Sequence, residues 1–347
     1  MKLLLTLAPG LEPESHCHII VVDWDDKRII DEFQFTHTVY QQSHKGFSGA
    51  TRRNGRLLVA TEVELLEFNL APLHVQGSHT YPFLNDVHHL IETDERIWVC
   101  NTGLDCIEEL DHSWQPVATH HLVDRFAKRP AHVLDLMVHD FRKSLNRMRG
   151  HFEYYTHLTK RPPFRNVVKL CWQNAYRRNG HELRNCDFRP HALHPNHLMP
   201  VGNDVWVTLW RTGEIVSLQR GAVLASGFGR PHDGIVVDDE LFVTDCRDNR
   251  ILAHEVERHQ SEVSIGCRKS DRVVTDNVRD GFLRGIAVAD NSVFAGLTAR
   301  RGSAPEFQTA RIIELNRQSL EPQSQWVVPQ QYGLQVFSIL DVSDVYE

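Results

Sequence analysis

The sequence predicts an all-β fold, a six-bladed β-propeller, and three observations carry that reading. A pattern of strand, turn, strand, turn, strand recurs along the chain at a spacing of about 40–50 residues, the length of a four-stranded blade. Hairpin-type turn residues sit at one place in the copies: Asn54-Gly55, Gly202-Asn203-Asp204, Asp238-Asp239 and Asp290-Asn291. The two ends, left over by five clear copies, are themselves strand-like. Joined as a sixth blade, they would remove the open sheet edge.

The first copy, GFSGATRRNGRLLVATEVELLEFNL, runs from Gly46, and the second, NDVHHLIETDERIWVCNTGLDCIEEL, from Asn85. PNHLMPVGNDVWVTLWRTGEIVSL follows from Pro195 and RPHDGIVVDDELFVTDCRDNRILAHEV from Arg230. The last, GFLRGIAVADNSVFAGLTARRG, starts at Gly281 and resumes with ARIIEL at Ala310. A fourth, outer strand follows most copies, as over 117–122 and 324–328. At the N-terminal end, 18–24 and 28–35 flank the turn Asp25-Asp26-Lys27; at the C-terminal end, 334–340 reads as one more strand. The 3.6-residue period of a helical solenoid is absent from the copies.

The apolar opening, MKLLLTLAPG, is broken by Thr6 and followed by Glu12, Glu14 and His16, so it reads as a first strand rather than a secretory leader. No run approaches the roughly 18 apolar residues of a membrane helix. Seven cysteines, an odd number with no CxxC, argue against a disulfide framework or a Cys-based zinc ribbon. They fit small buried hydrophobes in a reducing, cytoplasmic setting.

Residues 123–190 break the rhythm. Within a single propeller domain of 1–347 they are expected to form a basic, partly helical insertion, a lid or docking element over one face of the disc. Val133, Leu134, Leu136, Met137, Phe141, Leu145 and Met148 recur at helical steps, and Pro162-Pro163 ends the run. The insertion holds 15 Lys/Arg against 6 Asp/Glu, a balance of +9 in a chain of −7, so the remainder carries −16. Arg142, Lys143, Arg147 and Arg149 begin a basic stretch interleaved with Tyr154, Tyr155, Phe164, Trp172 and Tyr176. Arg142, Arg147 and Trp172 are the candidates there for holding an anionic small molecule or a glycan, and the segment also suits a protein partner. A long nucleic acid would be repelled by the acidic remainder.

Inner propeller strands line the central channel, and the loops leading into them face its mouth. Counting back from the second strand, His89 lies eight residues before Ile97 and His197 eight before Val205. His232 lies nine before Leu241, with Asp233 at eight; Arg284 lies nine before Val293, with Gly285 at eight. Three copies thus place a His at or beside one position. Three imidazoles with an open fourth position make a catalytic zinc site; histidines that bind an anion or act as general bases, and structural histidines, are the alternatives. Asn85, Asp86, Asn196 and Asp233 would suit calcium or, more simply, turn capping, with Asp233 left open as a carboxylate behind a ligand His. Arg284 is the candidate anion clamp. With Asp233 and His88, the neighbour of His89, it completes the candidate catalytic set. No phosphate loop, dinucleotide fingerprint, GxSxG or HExxH occurs.

The stretches NDVHHLIETDERIWVCNTG, GRPHDGIVVDDELFVTDC and GFLRGIAVADNSVFAGLTARR resemble the repeats of a bacterial family of conserved hypothetical propeller proteins, over about 46–122 and 194–315. That resemblance implies the fold and no activity. More distantly, the architecture is similar to the gluconolactonase, strictosidine-synthase and peptide-amidating-lyase propellers, which work at the channel mouth. The amidating lyase binds zinc through three inner-strand histidines, and His89, His197 and His232 resemble that arrangement. The expectation is therefore a metal-dependent lyase or hydrolase, with zinc ahead of calcium or iron, acting on a small anionic or glycan-like substrate. The rival is a non-catalytic binding propeller that takes a partner protein or anionic polymer through the insertion.

Overall fold

A computed structural model describes residues 1–8, 16–36, 46–126, 192–259, 262–274, 281–299 and 309–346. Its strands form six four-stranded antiparallel sheets. The first blade holds β1 (Lys2–Ala8), β2 (Cys17–Asp23) and β3 (Arg28–Phe35). The second holds β4 (Gly49–Arg53), β5 (Arg56–Ala60), β6 (Leu65–Asn69) and β7 (His74–His79). The third holds β8 (Val87–Glu92), β9 (Ile97–Asn101), β10 (Cys106–Leu110) and β11 (Pro116–His121), and leads into the short helix α1 (Leu122–Phe126). The fourth is β12 (Pro195–Val201), β13 (Asp204–Leu209), β14 (Glu214–Ser217) and β15 (Ala222–Ser226). The fifth is β16 (Pro231–Val237), β17 (Glu240–Asp245), β18 (Arg250–His259) and β19 (Glu262–Val273). The sixth is β20 (Phe282–Ala289), β21 (Ser292–Thr298), β22 (Arg311–Asn316) and β23 (Pro322–Val327). The last strand, β24 (Gln335–Asp341), pairs with β1 and becomes the inner strand of the first blade.

The ring closes as the sequence predicts. Leu3 pairs with Asp341 and Ala8 with Gln335, and the Val342 N–H donates to the Lys2 carbonyl at 3.0 Å. The turns have the expected chemistry: Asn54 and Gly55 sit at φ 49° and 75°, and Asp238 and Asp239 at 49° and 60°. Both central residues of such a turn need the left-handed region, so that its twist matches the strands.

Each pair of neighbouring blades shares its own apolar cluster. Leu3, Ile20, Phe294 and Ile312 join the first and sixth blades; Ile19, Val59 and Phe68 join the first and second. Leu58, Leu65, Leu90 and Val99 join the second and third, and Cys100, Ile107, Val205 and Val207 the third and fourth. Trp206 with Val243 and Phe242 with Val293 complete the circle. Fully burying a Leu, Ile or Phe stabilises by about 1.5–3 kcal/mol, so each interface supplies a comparable share and no blade can leave without opening two. The cysteines fit small hydrophobes, as expected: Cys17, Cys100 and Cys106 are buried thiols outside any disulfide, and burial pushes the Cys17 thiol up to about 12.

Aspartate side chains latch the loops that enter the fourth and fifth blades. The Asp105 carboxylate accepts the N–H groups of Ala192, Leu193 and His194 at 2.5–3.0 Å. Asp245 does the same for Gly229 and Arg230 at 2.6 and 2.7 Å. Of the expected insertion, only 123–126 fall among the described residues; Arg142, Arg147 and Trp172 lie outside them. No helix among the described residues is long and apolar enough to cross a membrane.

Candidate functional site at the channel bulges

The six inner strands β4, β8, β12, β16, β20 and β24 surround the channel. In five of them, all but β4, the pairing with the second strand slips at one level. The slip falls at His88-His89, Asn196-His197, His232-Asp233, Arg284-Gly285 and beside Ser338. A bulge interrupts the regular alternation of side chains and re-aims them, and it leaves a backbone N–H without a ladder partner. Threonine hydroxyls on the second strands take up those groups. The N–H of His197 donates to Thr208 at 3.1 Å, that of Asp233 to Thr244 at 2.9 Å and that of Ser338 to Thr6 at 3.0 Å.

The second residue of each bulge pair belongs to a hydrogen-bonded belt that crosses all six blades. The Ala50 N–H donates to the Ser338 hydroxyl at 2.8 Å. His89 lies between blades two and four: its Nε2 is 3.3 Å from the Ala50 carbonyl, and the Leu198 N–H is 3.3 Å from its Nδ1. The carbonyl can only accept and the amide can only donate, so His89 carries its proton on Nε2. His197 stacks on His89 with ring centroids 3.7 Å apart, and its Nδ1 faces Asp233 Oδ1 at 3.4 Å. Asp233 Oδ2 then accepts from the Gly285 N–H at 2.8 Å. Gly49 is required beside His89, because a Cβ there would lie 2.8 Å from the His89 Cα. Burial, then the neighbouring His197, hold the His89 pKa well below 6.5, so it is a neutral structural tie.

The first residue of each bulge pair lies one step nearer the start of its strand. His232 Nδ1 is 3.0 Å from Asp233 Oδ2. Burial alone would raise the Asp233 pKa, but the facing His232 and hydrogen bonds from His197 and His232 hold it well below 3.8. The carboxylate is therefore an acceptor, His232 keeps its proton on Nδ1, and Nε2 presents a lone pair. That nitrogen is buried and has no partner among the described residues. The amide of Asn196, 2% exposed, is likewise unpartnered among them. The His88 ring lies 6.1 Å from that of His232 and 5.2 Å from that of His194, and its Nε2 is 3.4 Å from Asp86 Oδ1. Arg284 is held over the rings of Phe282 and Phe337 at 4.7 and 4.6 Å. Burial lowers the His232 pKa; Asp233 raises it in part, and the Arg284 charge lowers it further.

The structure thus brings together His88, His232, Asp233 and Arg284, four of the residues singled out in the sequence. It does not assemble His89, His197 and His232 as a zinc set. His89 has no lone pair left to give, and the counting position that holds His89 and His197 is filled in the fifth blade by Asp233, not His232. Among the described residues no group of three or more His, Cys, Asp or Glu side chains has the spacing to hold a metal ion. Asn196, expected to cap a turn, has no hydrogen-bond partner for its side-chain amide among the described residues. Arg247, in the turn after β17, is exposed, and Arg211, in the turn after β13, is half-buried. Sequence reasoning missed His194, although it shares the run HALHPNH with His197. It also missed Ser338 and the threonines, whose roles depend on partners far along the chain.

No protein-family model and no curated protein matches the sequence. Among solved structures, a protein of unknown function from Bacteroides caccae aligns with a TM-score of 0.53 at 11% identity, over 97% of both chains. A chain of a nidogen/laminin complex aligns at 0.54 and 10% identity, over 98% of this chain and 97% of that one. A luciferin-regenerating enzyme aligns at 0.49 and 11%, over 84% of this chain and 78% of that one. At these identities the likeness is one of fold, and function has to be argued from the site.

Proposed function

We propose that the channel mouth is the active site of a lyase or hydrolase that uses a histidine base on a small anionic substrate. The observation that carries this reading is the His232–Asp233 pair: one nitrogen of a buried neutral imidazole is fixed on a carboxylate, and the other points away with its lone pair unused. A base held in one tautomer by a carboxylate is ready to take a proton. Arg284 would grip the substrate's carboxylate, sulfate or phosphate, and the Asn196 amide would donate to an adjacent carbonyl as negative charge builds on it.

Two reactions fit. His232 Nε2 removes the proton from a carbon next to that carbonyl, a bond to a leaving group on the following carbon breaks, and a carbon–carbon double bond forms. Alternatively, it takes a proton from water as the oxygen attacks an ester or lactone carbonyl, and the ring or ester bond opens. In both, the imidazolium returns its proton to the departing oxygen, with His88, whose ring lies 6.1 Å from that of His232, as the candidate relay. The steps are assigned to His232, Asn196 and Arg284, since no group of three or more His, Cys, Asp or Glu among the described residues has the spacing to hold a metal ion.

The test is a screen of anionic lactones, esters and β-substituted acids. On any hit, His232→Gln is expected to lower kcat by about 10²–10⁴-fold. Because burial, then Arg284, depress the His232 pKa, the acid limb of the wild-type kcat/KM profile is expected below pH 6.5. Undiminished turnover in His232→Gln would contradict the proposal, as would a stoichiometric transition metal that this substitution removes.

A further inference from the structure

Beyond the belt, away from His88 and His232, the channel widens into a cavity of about 420 Å³ lined by all six inner strands. That is within the size range of small-molecule sites. Ile91, Leu198, Met199, Ile235, Ile286 and Ile339 are among its walls, and His197, Asp233 and Ser338 lie at its floor. The cations at its rim are already engaged: Arg52 makes a two-pronged ion pair with Asp344, and Arg53 pairs with Asp94. The floor carries the ionised Asp233, so the cavity is unfavourable for an anion.

One polar atom at the floor is open to a ligand. His197 turns Nδ1 to the Asp233 carboxylate, which fixes the proton there and leaves Nε2 as an acceptor. The ring is 17% exposed, and Nε2 has no hydrogen-bond partner among the described residues. A pure hydrocarbon would leave that acceptor unsatisfied; a hydroxyl would complete it.

We propose that this cavity binds a small alcohol or phenol, with its apolar body among the strand walls and its hydroxyl donating to His197 Nε2. The site is separate from the catalytic reading of His232; the two share only Asp233.

The experiment titrates the whole protein with 4-propylphenol and with propylbenzene, following both by ligand-observed NMR. The phenol is expected to bind saturably and about three- to tenfold more tightly than the hydrocarbon, the value of one hydrogen bond. His197→Phe is expected to bind both probes with no preference, and Ile235→Trp, which fills the cavity, to bind neither. His232→Gln is expected to leave binding unchanged, which separates this site from the proposed catalysis. Absence of saturable phenol binding, equal affinities on the wild type, or a preference that survives in His197→Phe would each overturn the proposal. Should Ile235→Trp fail to fold, the two probes on the wild-type protein still decide the matter.

Discussion

His89 and His232 come from copies of one repeat and are equally buried, each 4% exposed, yet they hold opposite positions in the chemistry of the channel. His89 spends both ring nitrogens on backbone groups of two other blades. His232 spends one on Asp233 and keeps the other. Burial and residue type are the same; the partners differ. A histidine at a repeated position is therefore read from what its two nitrogens touch, and a site built by counting repeats alone confuses a tie with a base.

The contrast can be broken at the tie. His89→Ala strands the Leu198 N–H and the Ala50 carbonyl, each worth about 1–3 kcal/mol when buried and unpaired. A loss of roughly 2–4 kcal/mol is expected from urea denaturation, against about 1 kcal/mol or less for His232→Gln, whose amide can still donate to Asp233. Equal losses would erase the distinction. Gly49→Ala is expected to cost about 1–3 kcal/mol by overpacking against His89, and a wild-type midpoint would show that the belt tolerates displacement.

The pH dependence sharpens the same point at smaller magnitude. Native His89 and His232 resist the proton that each takes up near pH 6.5 in the unfolded chain. Their contribution to stability is complete above that value and falls as the pH drops below it, by up to about 1.4 kcal/mol per pH unit for each histidine. Asp233, depressed well below 3.8, keeps its contribution until the pH falls through that range. Urea midpoints at pH 7.5, 6.5 and 5.5 should therefore decline, and more gently in His89→Gln. An unchanged slope in that variant would mean native His89 is already protonated.

Blades, hairpin turns and the closing of the ring by both ends were legible because their determinants are local. Asn54-Gly55 and Asp238-Asp239 specify their turns within two residues, and alternating Val, Ile and Trp specify the strands. The bulges were not legible. An irregular step at His88-His89 and His232-Asp233 looks the same as a regular strand in sequence, so the count reached the right level in the channel but paired His232 with the wrong neighbours. The hydrogen bonds that settle each role are also remote, since His89 is tied to residues 39 positions before it and 109 after. Asp233, left open from sequence as a carboxylate behind a ligand histidine, faces His232 Nδ1 at 3.0 Å.

His89 and His232 are locked as opposite neutral tautomers, and long-range ¹H–¹⁵N spectra of the histidine rings at pH 7, with His89→Gln and His232→Gln giving the assignments, show whether they are. A proton is expected on Nε2 of His89 and on Nδ1 of His232, with His232 Nε2 unprotonated. A proton on His232 Nε2, or an imidazolium at that pH, would contradict it.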